Sequence, residues 1–275
     1  MRKICFRVPM TMHLIFAVIL VGGLSNCAAV LSDVNIFNDE DEVELGNRFS
    51  KEIEKDLTLY KRDPVVSEYI RQLGARLVRH SKRTNIAFHF KVVDAEEVNA
   101  FALPGGYVYV NLGLIRAAEN EAELAGVMGH EIGHVVGSHG AKQLTKQLGF
   151  AALEQIVLGK NPNEFEKLAG TIARTGALMK YSRDAEREAD AYAVRQMWDA
   201  GIDPAGIATF FETLRQLHKR QPGQLEQFFS THPPTDERIQ NVRTQIARQP
   251  RKPNLRKDSL RFREVKKRLP PPKRR

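Results

Sequence analysis

Residues 120–136 carry Leu124, Val127, Met128, Ile132 and Val135 at helical spacings, and HEIGH (130–134) stands inside that apolar run. A helix brings His130 and His134, four apart, onto one face, one turn above the other. Two imidazoles so placed can grip one metal ion, and Glu131, the next residue round, can lean over an open coordination position and take a proton from a water there. The alternative is a helix with two surface histidines. It must also explain Gly126, Gly129, Gly133 and Gly137, since a glycine weakens a helix by up to about 1 kcal/mol unless close packing requires it. From His134 an H-x-x-G-x-x-H continuation would put a third histidine at Gly140; His139 misses by one residue and reads as a surface residue or a neighbour of a ligand.

Catalytic zinc takes three protein ligands and a water, so a third ligand is needed. YSRDAEREADAYAVRQM (181–197) is a second helical run whose Ala185, Ala189, Ala193, Val194 and Met197 make a slim apolar face, with Glu186 and Asp190 four apart. Two idle carboxylates at that spacing would repel. Beside a dication and its histidines they are neutralised, one as ligand and one as acceptor of an imidazole N–H. A solvated acid-rich face fits the same stretch, because Arg183, Asp184, Arg187 and Glu188 are also charged.

Around these runs the pattern is α+β and mostly helical. Residues 41–60 and 64–80 read as two amphipathic helices, the second opening with Pro64 at a permitted first-turn position. The stretches 86–94, 99–104 and 106–113 are short, rich in aromatic and β-branched residues and separated by turn signals, which predicts a small sheet just before the histidine helix. Within it GGYVYV (105–110) is expected to be an edge strand, either an ordinary one or one to which an extended polypeptide adds by backbone pairing. With 275 residues, 42% of them apolar, and no internal repeat, one domain over 41–248 is expected.

The two ends differ from this middle. Arg2, Lys3 and Arg7 precede the apolar run 14–24, the pattern of an export signal over 1–26; eleven residues are too few to span a bilayer, which needs about 20. LSNC then resembles a bacterial lipobox, which would make Cys27 a lipid-bearing membrane anchor followed by a tether over 27–40; Asn26 is an unusual residue at its place, and a plain secreted form is the alternative. By resemblance to lipoprotein sorting, Ala28 rather than Asp after the cysteine favours the outer membrane; without a lipid the protein would be soluble in the periplasm. Cys5 is the only other cysteine, so no internal disulfide is expected in the mature domain. Residues 251–275 hold twelve Lys/Arg and two acids; with the three cations of the signal they exceed the formal net charge of +9, leaving −4 on residues 27–250. The tail 249–275 reads as a disordered or loosely helical basic arm, either a solvated tail or a contact with an anionic membrane surface or envelope polymer; nucleic acid is not expected as a partner.

NAFALPGG (99–106), HEIGH (130–134), SRDAEREAD (182–190) and STHPPTDERI (230–239), in this order, resemble the HtpX/BepA/LoiP family of bacterial zinc metalloendopeptidases, relatives of the CAAX-prenyl protease and of mitochondrial OMA-type proteases. The resemblance spans roughly 40–245 and implies a gluzincin-like fold, one Zn²⁺ held by His130, His134 and Glu186, Glu131 as general base, and Asp190 as support for a ligand. It further implies that His232 reaches the metal region as a regulatory fourth ligand or a catalytic group, with Arg238 nearby. BepA continues into tetratricopeptide repeats where this chain has its basic tail, and HtpX-like members carry transmembrane helices that this sequence lacks. The implied activity is hydrolysis of misfolded or stalled envelope proteins at the periplasmic face of the cell envelope. A metal-binding chaperone or binding module with little turnover is the alternative, which the intact Glu131 argues against.

Overall fold

The computed structural model describes residues 35, 37–79, 81–157, 159–176, 180–220, 223 and 225–272; the export-signal and Cys27 expectations lie outside the described residues. The chain from 35 onward forms a single unit. Helix α1 (Asp39–Ile53) starts at a capping box in which Asn38 and Asp41 satisfy each other's backbone N–H groups. It ends earlier than its apolar spacing suggested, because Tyr60 N–H turns back to the Val92 carbonyl (2.8 Å) and Leu59 bridges to Val93. Helix α2 (Pro64–Val78) follows, with Asp63 as N-cap.

Strands β1 (His89–Val93), β2 (Ala100–Leu103) and β3 (Tyr107–Asn111) form one sheet in the order β1-β3-β2, with β1 parallel and β2 antiparallel to β3. GGYVYV is therefore central, not an edge: Val108, Tyr109 and Val110 are paired on both sides and fully buried. Successive residues face two separate cores. Val92, Ala100, Ala102, Val108 and Val110 join the larger one, while Val93, Phe101, Leu103 and Tyr109 join a smaller one under α1. Helices on both faces explain why the strands read as continuous apolar runs.

After the short α3 (Leu112–Ala117) come α4 (Glu121–Val136), α5 (His139–Val157), α6 (Pro162–Thr175), α7 (Arg183–Asp199), α8 (Ala205–Arg220), α9 (Glu226–Thr231), α10 (Asp236–Arg248) and α11 (Leu260–Arg268). Helices α4 and α7 lie nearly backbone to backbone. A Cβ on Gly133 would stand 2.7 Å from the Ala189 carbonyl oxygen, and one on Gly129 would press on Ala193. Close packing thus accounts for the glycines of the histidine helix and lowers α7, with its carboxylates, onto it. Buried Arg83 fastens the other end: it bonds the Val135 carbonyl (2.8 Å), Ser138 Oγ (2.9 Å) and the carboxylates of Glu42 and Asp39, tying α1 to the C-terminus of α4.

The described part of the C-terminal segment is no arm. Arg256 pairs with Gly201 and Asp203 through backbone bonds, the Lys257 carbonyl accepts Ala122 N–H (2.9 Å), and Asp258 accepts Glu121 N–H (3.2 Å), so two N–H groups left open by the first turn of α4 are satisfied. Beyond them α11 buries Phe262 and Val265 completely in the larger core. High charge hid these two apolar residues, which stand three apart on one helical face.

Candidate metal centre

Four side chains from three elements meet in the middle of the molecule. His130 and His134 come from α4, Glu186 from the first turn of α7, and His232 from the C-terminal cap of α9; one ligand atom of each lies within 4.8 Å of all the others, and all four residues are buried. The N-cap Ser182, whose hydroxyl accepts Ala185 N–H (3.2 Å), starts α7 at the point that gives Glu186 this position.

The hydrogen-bond pattern points the imidazole lone pairs inward. His130 Nδ1 donates to Asp190 Oδ1 (2.9 Å), and His134 Nδ1 meets His139 Nδ1 (2.9 Å), whose other ring nitrogen lies 3.3 Å from Glu188 Oε2. With protons assigned along those outer bonds, His130 Nε2 and His134 Nε2 face each other as acceptors 3.0 Å apart. Glu186 Oε1 lies 3.0 Å from His232 Nδ1 and 3.4 Å from His134 Nε2. Arg238 Nη1 stands 2.8 Å from Glu186 Oε2 as an ion pair, yet that oxygen receives no hydrogen bond, and neither does Glu131 Oε1. A buried carboxylate with an oxygen that lacks a well-aligned hydrogen bond, beside converging imidazole nitrogens, fits a divalent cation.

Charge follows the same geometry. Burial opposes a charged His130, but Glu186 and Asp190 outweigh it and raise its pKa to about 9 in the metal-free protein. Burial drives His134 well below the usual imidazole range and Glu131 above the usual carboxylate range. Glu186 is held well below its ordinary value despite burial, by His232 and His130, and Asp190 is lowered despite burial by Arg238. Arg238 bonds Asp190 through Nε (2.8 Å) and Nη2 (2.7 Å), a two-pronged clamp.

The structure brings together the six residues expected at the metal site, His130, Glu131, His134, Glu186, Asp190 and His232: Asp190 touches His130, and Glu131 lies beside His232. The solvated-face alternative for 181–197 fails at Glu186 and Asp190, which are buried, and holds for Arg183, Asp184 and Glu188, which are exposed. His139 is buried behind His134 rather than on the surface. Tyr181 escaped sequence reasoning. Its ring stacks on His134 with centroids 4.0 Å apart, yet it precedes the N-cap of α7 and so belongs to no periodic pattern.

Residues 64–246 match the model of peptidase family M48. The chain belongs to this family. It is 32% identical over 211 residues to the β-barrel assembly-enhancing protease of Escherichia coli K12, covering 74% of this chain and 43% of that protein. It is 28% identical over 233 residues to metalloprotease YcaL of the same organism (82% and 89% of the two chains). It is 37% identical over 148 residues to mitochondrial metalloendopeptidase OMA1 of Arabidopsis thaliana (54% and 29%). The chain spans less than half the length of the β-barrel assembly-enhancing protease and most of the length of YcaL. As a metallopeptidase family member it is expected to use a divalent metal, for which the His/Glu cluster offers the ligands.

Proposed function

We propose that this protein is a zinc endopeptidase that hydrolyses peptide bonds in misfolded or stalled proteins of a bacterial cell envelope. The observation that carries the reading is the buried cluster of His130, His134 and Glu186 with the donor-free Glu131 oxygen alongside. These three side chains would hold one Zn²⁺, and a zinc ion so held supplies Lewis acidity, polarising a scissile carbonyl and lowering the pKa of a water. Glu131 is the general base and then the acid that hands the proton to the leaving amine; its burial-raised pKa suits both halves of that transfer. Asp190, itself clamped by Arg238, holds His130 in one orientation and one tautomer, and His139 with Glu188 does the same for His134.

A substrate chain would lie along β2, the sheet edge next to α4, where the Ala102 backbone already bonds the Glu131 carboxylate. Backbone pairing to an edge reads little sequence, which suits clients recognised by being unfolded. His232 closes the site in the resting protein as a fourth ligand. Among the described residues no helix is long and apolar enough to cross a membrane. Attachment at the periplasmic face of the outer membrane would come from a lipid on Cys27, which mass spectrometry of the mature N-terminus tests directly. Casein hydrolysis with parallel metal analysis tests the activity: turnover by wild type or by His232→Ala with one zinc per chain supports the reading, and zinc binding without any turnover in either sinks it in favour of a metal-binding chaperone.

A further inference from the structure

Away from the metal, α2 and the C-terminal segment enclose a second cleft of about 140 Å³, more than a single water needs. Tyr69, Gln72 and Arg76 line it from α2, and Arg256, Ser259 and Arg261 from the C-terminal segment. The one acid in its wall, Glu121, is already occupied: it accepts hydrogen bonds from Tyr69 Oη (3.0 Å), Arg256 Nε (2.6 Å) and Ser259 Oγ. The cations keep donors to spare. Arg256, paired with Glu121 through Nε, has its Nη2 buried without a partner, the Arg76 side chain makes no hydrogen bond or ion pair among the described residues, and Arg261 is tied through Nη1 alone, to Glu264 (2.7 Å). With Arg256 and Glu121 balancing each other, Arg76, Arg261 and the spare Nη2 of Arg256 leave the small cleft cationic and suited to a phosphate, whose oxygens match the planar fork of arginine.

Next to this cleft stands Leu260, at 78% exposure the most exposed large apolar side chain among the described residues. Lys257, Arg261, Arg263 and Lys267 are exposed around it in sequence, and α2 and its C-cap expose Arg71 and Arg79. Residues 251–272 contain nine Lys/Arg against Asp258 and Glu264, and both acids are paired within the segment, Asp258 with Arg263 and Glu264 with Arg261 and Arg268. A single exposed leucine is ordinary, but one seated on a basic surface beside a phosphate-sized cleft has the chemistry of a membrane-contact site. Free phosphate would fill the cleft and leave the leucine without a role.

We infer that the cleft of Arg76, Arg256 and Arg261 binds the phosphate headgroup of an anionic phospholipid, with Leu260 entering the apolar layer beside it. The inference goes beyond the peptidase reading and needs no turnover, so either can fail alone. Vesicle flotation of the full chain carrying Cys27→Ser tests it without an acyl anchor, and phosphatidylcholine vesicles record whatever the apolar run 14–24 contributes. Addition of phosphatidylglycerol should increase binding, and Arg76→Gln combined with Arg261→Gln should remove about tenfold or more of that increase. Leu260→Ser should also weaken it, with melting temperature and casein hydrolysis unchanged in both variants. Equal binding with and without phosphatidylglycerol, or unaltered binding by both variants, overturns the proposal. Equal binding to vesicles given the same surface charge by oleate would mean that charge alone is read and would overturn the phosphate site. Arg76-dependent binding of inorganic phosphate without vesicle binding would assign the cleft to free phosphate and overturn the membrane contact.

Discussion

Nε2 of His232 stands 3.6 Å from Oε1 of Glu131, with both side chains buried. At that separation no water fits between the two atoms, and the other imidazole nitrogen lies 3.0 Å from Glu186 Oε1. His232→Ala is expected to raise basal casein cleavage or self-cleavage about tenfold or more, as when a closed state that dominates the resting population is removed. A hundredfold loss of turnover at unchanged zinc content would instead make His232 a donor to the reacting oxyanion.

Glu131→Gln should reduce turnover by at least about a hundredfold while leaving zinc and fold intact, since the amide matches the carboxylate in shape and cannot take the proton. Activity at a tenth of wild type would mean another base. Crosslinking in this background should also retain uncleaved clients.

Glu186→Ala should abolish stable zinc occupancy under competition with a chelator. Asp190→Asn keeps the ligands and loses only the charge that orients His130, so zinc affinity should fall by roughly 10–100-fold. A larger loss from Asp190→Asn than from Glu186→Ala would show that the ligand and its support have been interchanged.

Metal removal should unsettle the whole domain. Without a cation Glu131, Glu186 and Asp190 are three buried carboxylates balanced only by Arg238 and by His130, whose pKa Glu186 and Asp190 raise. An ion present at about a thousand times its dissociation constant stabilises by roughly 4 kcal/mol, so chelation should lower the melting temperature by on the order of 10 °C in calorimetry. An unchanged melting curve would mean that no ion is held there.

The C-terminal helix is part of the fold, and Phe262→Ala should therefore destabilise the protein by about 3–5 kcal/mol, as for other fully buried aromatic truncations. Denaturant unfolding measures this. A change under 1 kcal/mol would return the segment to the status of a loose arm.

Much of the site was legible in one dimension because helices convert spacing into geometry. HEIGH set His130, Glu131 and His134 around one helical turn, and the Glu186–Asp190 pair set two carboxylates on one face of a second helix. Spacing within a helix says nothing about which other helix it meets. Tertiary structure decided that α7 packs on α4 through Gly129, Gly133, Ala189 and Ala193, and that His232 and Tyr181, from irregular segments without periodicity, close over the centre. It also decided strand order, which three short apolar runs leave open: β3 lies between its neighbours because β1 and β2 each pair with it. Charge density made 251–272 resemble a solvated tail, and only the long-range burial of Phe262 and Val265 in the core, invisible to local composition, makes it a structural helix.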